Sequence, residues 1–252
     1  MSMTSTHDNR IITQFTRWAA CFAALPIHAE AESMAMTVAA CDVRSGTRVL
    51  DVACGPGIVS CALAAEGADV TALDMTPAML IQGRELAARR ALPVTFDPGN
   101  AYHLPYGNGT FDRVVTRYSF HHMIRPLDCL KEMVRVCCTG GRIVVIDATP
   151  APECQQAYDQ AERVRDPSHI NALTRTQLLS LGEELGLTTI RTHHYRLEAC
   201  LNDQVAPEDQ AALHDLFAED IASGTNRLGM GAWHVEEGIR FFFPISIIVW
   251  QK

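Results

Sequence analysis

The chain has 252 residues, of which 48% are hydrophobic, and its 29 acidic residues outnumber its 21 basic residues, for a formal net charge of −8. A chain of this length can bury one sizeable core, so a single domain with small additions is expected. The acidic balance, with no run of Lys or Arg, lacks the basic stripe of nucleic-acid-binding proteins. We therefore expect no nucleic-acid partner.

The nine cysteines and two apolar runs bear on the cellular setting. No Cys-x-x-Cys spacing occurs, which favours free thiols in a reducing cytoplasm over a disulfide framework or a metal site. The runs Trp18–Leu25 and Phe241–Trp250 are shorter than the ~20 residues that span a bilayer. The first run is also too short for a signal peptide. We expect a cytoplasmic protein with no membrane insertion and no metal ion.

Two helices are predicted first, over residues 8–24 and 28–41. In the first helix, Ile11, Phe15 and Trp18 recur at helical spacing and form one stripe. Such a stripe either packs into the core or lines a ligand site.

The segment RVLDVACGPG, residues 48–57, predicts a buried strand that ends at a glycine-rich turn before a helix. In doubly wound folds such a turn holds the charged part of a cofactor, and Gly55 and Gly57 permit close backbone approach. Ser60 stands where a dinucleotide fingerprint has its third glycine, and no Lys-Ser/Thr pair follows the turn. Asp51, before the turn, suits a cofactor with a cationic end better than a pyrophosphate.

A second strand, predicted over residues 69–73, ends at Asp74, which lies 17 residues after Gly57. Helices are predicted on either side of it, over residues 57–66 and 76–90. An acid at this distance from the glycine turn is expected to bind ribose hydroxyls.

The remaining chain continues the alternation of strands and helices, which implies a parallel sheet with right-handed crossovers. The further strands are predicted near residues 93–97, 111–118, 141–146, 187–197 and 239–250, and the further helices near residues 126–137, 151–165, 174–186 and 207–223.

Four segments in this order resemble the class I S-adenosylmethionine-dependent methyltransferases. They are D-x-x-C-G-x-G from Asp51, ALDMT at residues 72–76, LPYGNGTFDRVVTRYSFHHM at residues 104–123 and LKEMVRVCCTGGRIVVID at residues 130–147. The pattern is similar to the subgroup that includes the ubiquinone and menaquinone C-methyltransferases. It covers about residues 45–150, and DPSH at residues 166–169 is more weakly similar to related enzymes.

The resemblance implies a doubly wound, Rossmann-like α/β fold. Its sheet would have seven mostly parallel strands with an antiparallel C-terminal edge strand. Within one domain, residues 1–42 would form a helical cap, 43–150 the cofactor-binding core, 151–186 a helical lid and 187–252 the rest of the sheet.

The resemblance also implies which residues bind S-adenosylmethionine. Asp51 would act near the methionine ammonium and Asp74 on the ribose hydroxyls, although an acid at either place can also bond the backbone. Asn100 stands where the family has an acid beside the adenine edge, and its amide can accept a hydrogen bond without charge assistance. The full expected set is Asp51, Gly55, Gly57, Asp74, Met75, Asn100, Ala101, Thr116 and Arg117.

Candidates for catalysis lie at the ends of the fourth and fifth strands. His121, His122 and Asp147 are the titratable groups there, and a histidine can take a proton near neutral pH. The histidine pair could instead cap the next helix or pack. The residues expected to contact the substrate are Phe15, Trp18, Tyr118, His121 and His169.

The resulting hypothesis is transfer of a methyl group to O, N or C of a small, aromatic or heteroaromatic metabolite. One alternative is a quinone-pathway C-methyltransferase. An alternative of another class is a non-catalytic scaffold that binds the cofactor. The oligomeric state stays open.

Overall fold

The computed structural model describes residues 3–24, 30–204 and 210–252. Within them the chain forms α1 (Met3–Ala24), α2 (Ala31–Cys41), α3 (Ile58–Ala65), α4 (Pro77–Arg89), α5 (Pro126–Val136), α6 (Gln155–Arg165), α7 (Arg175–Glu184) and α8 (Gln210–Ser223). The strands are β1 (Arg48–Val52), β2 (Asp69–Asp74), β3 (Val94–Pro98), β4 (Phe111–Arg117), β5 (Cys137–Ala148), β6 (Thr188–Cys200), β7 (Trp233–Val235) and β8 (Gly238–Gln251).

The strands form one sheet in the order β3-β2-β1-β4-β5-β8-β6, and the short β7 pairs with the start of β8. Pairings among β1 to β5 are parallel, whereas β8 runs antiparallel to both β5 and β6. The expected mostly parallel, doubly wound sheet is therefore confirmed. The antiparallel C-terminal strand inserts beside β5, so β6 occupies the edge, and β7 is an addition too short to be recognised by alternation.

Helices cover both faces of the sheet, as a parallel sheet requires. Alternate side chains of β8 pack into different cores on the two faces of the sheet, because successive side chains of a strand point to opposite faces. Ile245, Ile247 and Val249 join the core shared with α2, α3, α6 and α8. Ile248 and Trp250 join the core shared with α5 and α7.

The carboxyl ends of β1, β2, β4 and β5 meet at one edge of the sheet, the usual ligand edge of an open α/β fold. Four residues at this edge have a positive φ, namely Ala53 (55°), Gly55 (52°), Gly57 (71°) and Tyr118 (57°). Such a φ is costly for a bulky residue like Tyr118 and marks a constrained site. Among the described residues, no helix is long and apolar enough to cross a membrane.

Candidate active site

A cleft lies at the carboxyl ends of β1, β2 and β4. Its floor is the glycine turn after β1 and the end of β2, and α1 lies over it. The predicted residues that line it are Phe15, Gly55, Asp74, Met75, Asn100, Ala101, Arg117, Tyr118 and His122.

Asp74 ties the glycine turn to the end of β2. Its Oδ2 accepts from the Gly55 amide at 2.9 Å, and its Oδ1 accepts from the Thr76 amide at 2.7 Å. Burial raises the pKa of this carboxyl, and the two backbone donors partly offset that rise. A Cβ added at Gly55 would meet no atom within 4 Å. The turn therefore leaves open room over Gly55, bordered by an acid with acceptor capacity left on each oxygen.

Three predicted cofactor residues lie one layer behind the cleft. Gly57 faces the interior, where an added Cβ would come within 2.8 Å of Phe96 Cε1. Asp51 is buried and accepts from the Ser60 hydroxyl at 2.5 Å, and burial raises its pKa to about 7. Thr116 donates to the Val52 carbonyl at 2.7 Å. These three residues support the turn and the strand ends and are absent from the cleft wall.

One end of the cleft is the loop after β3. Asn100 holds the loop by accepting from the Tyr102 amide through Oδ1 at 2.9 Å. Its Nδ2 donates to Asp8 Oδ2 of α1 at 3.3 Å. Met75 and Ala101 also border this end. A carboxylate, that of Asp8, thus lies next to Asn100 in space, although the two residues are far apart in the sequence.

Helix α1 lies over the cleft through one face. His7, Ile11 and Phe15 share this face at intervals of four residues, and Asp8 lies beside them. His7 Nε2 donates to the His122 carbonyl at 2.8 Å. The apolar stripe predicted Phe15, but the polar members of the face were missed because the stripe was defined by apolar residues. The side chain of Trp18 lies outside the part that the structure describes.

A second cavity adjoins the cleft. Phe15, Tyr118 and His122 line both spaces and stand between them. The hydroxyl of Tyr118 bonds Arg117 Nη2 at 3.1 Å and the Tyr195 hydroxyl at 3.0 Å. The other described residues that line the second cavity are His121, Asp147, Ala148, Tyr158, Glu162, Arg165, Asp166, Leu197, Gln204, Phe243 and Ile245.

His121 and Asp147 form a hydrogen-bonded dyad in the wall of this second cavity. His121 Nδ1 lies 2.6 Å from Asp147 Oδ1, and the carboxylate also accepts from the Phe120 and Ala148 amides. Burial lowers the pKa of His121, the Asp147 carboxylate raises it, and the net shift is upward. The pKa of Asp147 is raised by burial and lowered more strongly by His121, so it falls. With Nδ1–H given to Asp147, Nε2 is the nitrogen that can take a proton.

The neighbouring histidine has a different environment. Burial, followed by the charge of His121, lowers the pKa of His122 to about 3. Its Nδ1 donates to the Ser168 carbonyl at 3.1 Å. A neutral histidine with so low a pKa is a poor proton acceptor at neutral pH. Its contacts instead attach the loop after α6 to the end of β4.

His169 does not line either cavity, in contrast to the expectation that it contacts the substrate. It is 3% exposed, and its Nε2 bonds Asp159 Oδ1 at 2.7 Å. Its ring stacks on His121 at 5.5 Å, and the following amide of Ile170 donates to the His121 carbonyl at 2.9 Å. The acids of α6 draw this histidine inward, so it supports His121 from behind.

Helix α6 supplies residues that the sequence analysis did not single out. Glu162 and Arg165 pair through two hydrogen bonds, at 2.9 and 2.7 Å, in the wall of the second cavity. The hydroxyl of Tyr158 in the same wall is buried and has no hydrogen-bond partner among the described residues. The charged pair is visible in the sequence only as an i, i+3 spacing, which occurs on any solvated helix.

Residues 50–145 match the family described as "Methyltransferase domain". A demethylmenaquinone methyltransferase of Clavibacter sepedonicus is 35% identical over 52% of this chain and 54% of its own length. The ubiquinone/menaquinone biosynthesis C-methyltransferase UbiE of Cereibacter sphaeroides is 37% identical over 46% of this chain and 49% of its own. The chain thus spans about half the length of these relatives.

Among solved structures, a protein of Bacillus halodurans C-125 superposes with a TM-score of 0.77 over 88% of this chain and 99% of its own, at 24% identity. This likeness confirms the fold. Together with the family match, it confirms the resemblance to class I methyltransferases that the motifs from Asp51 to Asp147 indicated.

Proposed function

We propose that the protein is an S-adenosylmethionine-dependent methyltransferase acting on a small aromatic or heteroaromatic molecule. The observation that carries the proposal is a pair of adjoining spaces at one sheet edge. A glycine-turn cleft bordered by Asp74 shares Phe15, Tyr118 and His122 with a cavity lined by the His121–Asp147 dyad. Fold alone does not establish activity, and these side chains supply the chemistry.

The first space suits the cofactor. The room above Gly55 admits close backbone approach, and Asp74 offers its remaining lone pairs to ribose hydroxyls. Met75, Asn100 and Ala101 would border the adenine, and Arg117 would border the side that faces the second cavity. Asp51 and Thr116 would act from behind, by holding the turn. When bound, the cofactor supplies an electrophilic methyl group on a sulfonium sulfur.

The second space suits the acceptor. Phe15, Tyr118 and Phe243 give it aromatic walls, and His121 gives it a proton acceptor. A pocket that is mostly apolar with a few placed polar groups is typical of small-molecule sites. The protein would align the acceptor atom with the methyl group and exclude water, since orientation supplies much of the rate enhancement in such transfers.

His121 would remove the proton of the acceptor group. The hydrogen bond to Asp147 supports this role, because it would fix the ring and stabilise the protonated imidazole, and this carboxylate raises the pKa of His121 against the effect of burial. A base placed in this way contributes about 10²–10⁴-fold to the rate.

We place the enzyme in the cytoplasm, because the described cysteines are free thiols.

The names of the curated relatives favour a second candidate, C-methylation in a quinone pathway. The His121–Asp147 dyad would also act in C-methylation. Removal of a phenolic proton by His121 would raise the electron density on the ring carbon that accepts the methyl group. The acceptor atom therefore distinguishes the two candidates, and the cofactor does not.

Calorimetry with S-adenosylhomocysteine tests the proposal first. Wild-type protein should bind it, and Asp74→Ala should weaken binding by about 1.5–3 kcal/mol, because hydrogen bonds to a charged group are lost. Asp69→Ala, an exposed acid at the other end of β2, is the matched control. Folded wild-type protein that binds neither S-adenosylmethionine nor this product would overturn the proposal.

A transfer assay then identifies the acceptor. Radiolabelled S-adenosylmethionine is incubated with phenols, hydroxyquinones and nitrogen heteroaromatics, and the methylated atom is located by mass spectrometry and NMR. Ring-carbon methylation would select the quinone-type candidate. Tight cofactor binding without transfer to any class of acceptor would select the non-catalytic scaffold.

A further inference from the structure

Asp8 brings a carboxylate into the cleft from outside the core. Of the described residues that line the cleft, two carry a carboxylate, Asp8 and Asp74. Asp74 lies at the end of β2, whereas Asp8 lies on α1, beside the loop that follows β3. The two acids are therefore placed to bind different parts of one elongated ligand.

The loop after β3 cannot supply a charged acceptor itself. The Asn100 Oδ1 atom accepts from the Tyr102 amide, so the acceptor end of this side chain is already used. Its Nδ2 end is a donor, and it donates to Asp8 Oδ2 at 3.3 Å. A carboxylate has about four lone-pair sites, so one bond to an amide leaves Asp8 with most of its acceptor capacity.

The loop after β3 adjoins the end of β2, where the Gly99 amide donates to the Asp74 carbonyl at 3.0 Å. A nucleoside whose ribose is bound by Asp74 can therefore place its base against this loop. That loop is the Gly99–Tyr102 segment against which Asp8 lies. A base in this place presents its edge to the carboxylate of Asp8.

We propose that Asp8 recognises the 6-amino group of the adenine, so that a helix outside the core completes the nucleoside site. The inference rests on the proposed function, because it needs a nucleoside in the cleft. An anionic acceptor favours a purine with a 6-amino donor and repels one with a 6-oxo group. The site should therefore discriminate adenine from hypoxanthine, and this discrimination should depend on Asp8.

The test compares S-adenosylhomocysteine with S-inosylhomocysteine, its 6-oxo analogue, by calorimetry on the full chain. Wild-type protein should bind the adenosine form at least about tenfold more tightly, the effect of one hydrogen bond to a charged group. Asp8→Asn should reduce this preference to within about twofold, because an amide can serve a 6-amino or a 6-oxo group equally. Asn9→Ala, at an exposed neighbouring position of α1, should keep the wild-type preference.

A relocation variant separates recognition from support of the helix. Asp8→Asn combined with Asn100→Asp moves the acid from α1 to the loop and retains an amide–carboxylate pair. The preference for the adenosine form should return in this double variant. Circular dichroism verifies that each variant is folded.

The outcomes are distinguishable. If wild-type protein binds neither product, the proposed function fails and the inference fails with it. If it binds both products equally, the inference alone is overturned, and this comparison needs no variant. A preference that survives Asp8→Asn also overturns it.

Discussion

Asp51 and Asp147 are both buried carboxyl groups in strands of the ligand edge, at 1% and 3% exposure, yet the pKa of one rises and that of the other falls. Asp51, behind the cleft, has the Ser60 hydroxyl as its side-chain donor, and burial raises its pKa to about 7. Asp147, beside the second cavity, bonds His121 and two backbone amides, which lower its pKa despite burial.

The difference shows that the donors around a buried acid decide its charge, because burial is nearly the same in both places. On the cleft side, a pKa of about 7 leaves Asp51 only partly ionised at neutral pH, and the cationic end of a ligand would favour its charged form. The cavity side holds a charged pair at the surface of the substrate space, which suits proton transfer. The two halves of the site thus differ in chemistry as well as in position.

Removal of the dyad should give the largest effect. We expect His121→Asn to lower kcat by about 10²–10⁴-fold, since the proton acceptor is lost, while affinity for S-adenosylhomocysteine stays near the wild-type value. In wild-type protein kcat should rise with pH as His121 loses its proton, and this acidic limb should disappear in the variant. His193→Asn, at an exposed position of β6, is the control. Unchanged turnover in His121→Asn would leave positioning alone as the mechanism.

Asp51→Asn tests the raised pKa of Asp51 through the pH dependence of the free energy of unfolding. The folded-state pKa of Asp51 is about 7 and its ordinary value is 3.8, so the folded protein binds the proton more tightly. The contribution of the protonated Asp51 to the free energy of unfolding is therefore fully present below about pH 4 and is lost as the pH rises through about 7. Wild-type protein should lose on the order of 2 kcal/mol more than Asp51→Asn between about pH 5 and pH 8.

Urea unfolding at several pH values measures this difference. Asp69→Asn, at an exposed position of β2, should keep the wild-type pH dependence. Parallel stability curves for wild-type protein and Asp51→Asn would show that Asp51 is charged throughout this range, and the contrast with Asp147 would fail.

Tyr158→Phe should give the smallest effect on stability. The Tyr158 hydroxyl is buried without a described partner, so its removal should change the free energy of unfolding by less than about 1 kcal/mol and in the stabilising direction. If the hydroxyl binds the methyl acceptor, KM for that acceptor should rise about fivefold, the effect of losing one hydrogen bond. Tyr106→Phe, which loses a 2.9 Å bond to Asp97, should instead destabilise the protein.

Thermal unfolding and steady-state kinetics measure the two effects of Tyr158→Phe. A clear loss of stability would mean that the hydroxyl has a partner in the folded protein. The Tyr158 hydroxyl would then not be available to a ligand in the second cavity.

The cleft was predictable from the sequence to a greater extent than the cavity. Gly55 and Asp74 belong to local motifs, in which a strand end and the turn beside it are contiguous in the chain. Local spacing cannot show on which side of the turn a glycine lies. A Cβ added at Gly57 would meet Phe96, so its predicted role at the ligand would have to come from its backbone. The motif likewise does not reveal that Asp51 lies behind the cleft and accepts a hydrogen bond from Ser60, and its predicted role near the ammonium stays a prediction.

The cavity depends on contacts between distant segments. His121 and Asp147 were predicted because both follow strands that end at the same edge. Tyr158 was missed, because its position depends on how α6 packs over the sheet. His169 was predicted to contact the substrate; its side chain lies outside the lining of both spaces and bonds Asp159, a contact that the local sequence does not indicate. A polar residue on a helix gives no periodic signal, which is also why Asp8 was not foreseen.

The position of β8 has a consequence for synthesis on the ribosome. β6 is made before β8, yet β8 lies between β5 and β6, so β6 cannot join the sheet until residues 201–237 and the strand after them have emerged. At ~5–20 residues per second this interval lasts several seconds. During it the apolar strand β5 has an open edge, which is a template for pairing with other nascent chains. Slowed translation after residue 200 should therefore increase aggregation and the need for chaperones, without any change in the finished protein.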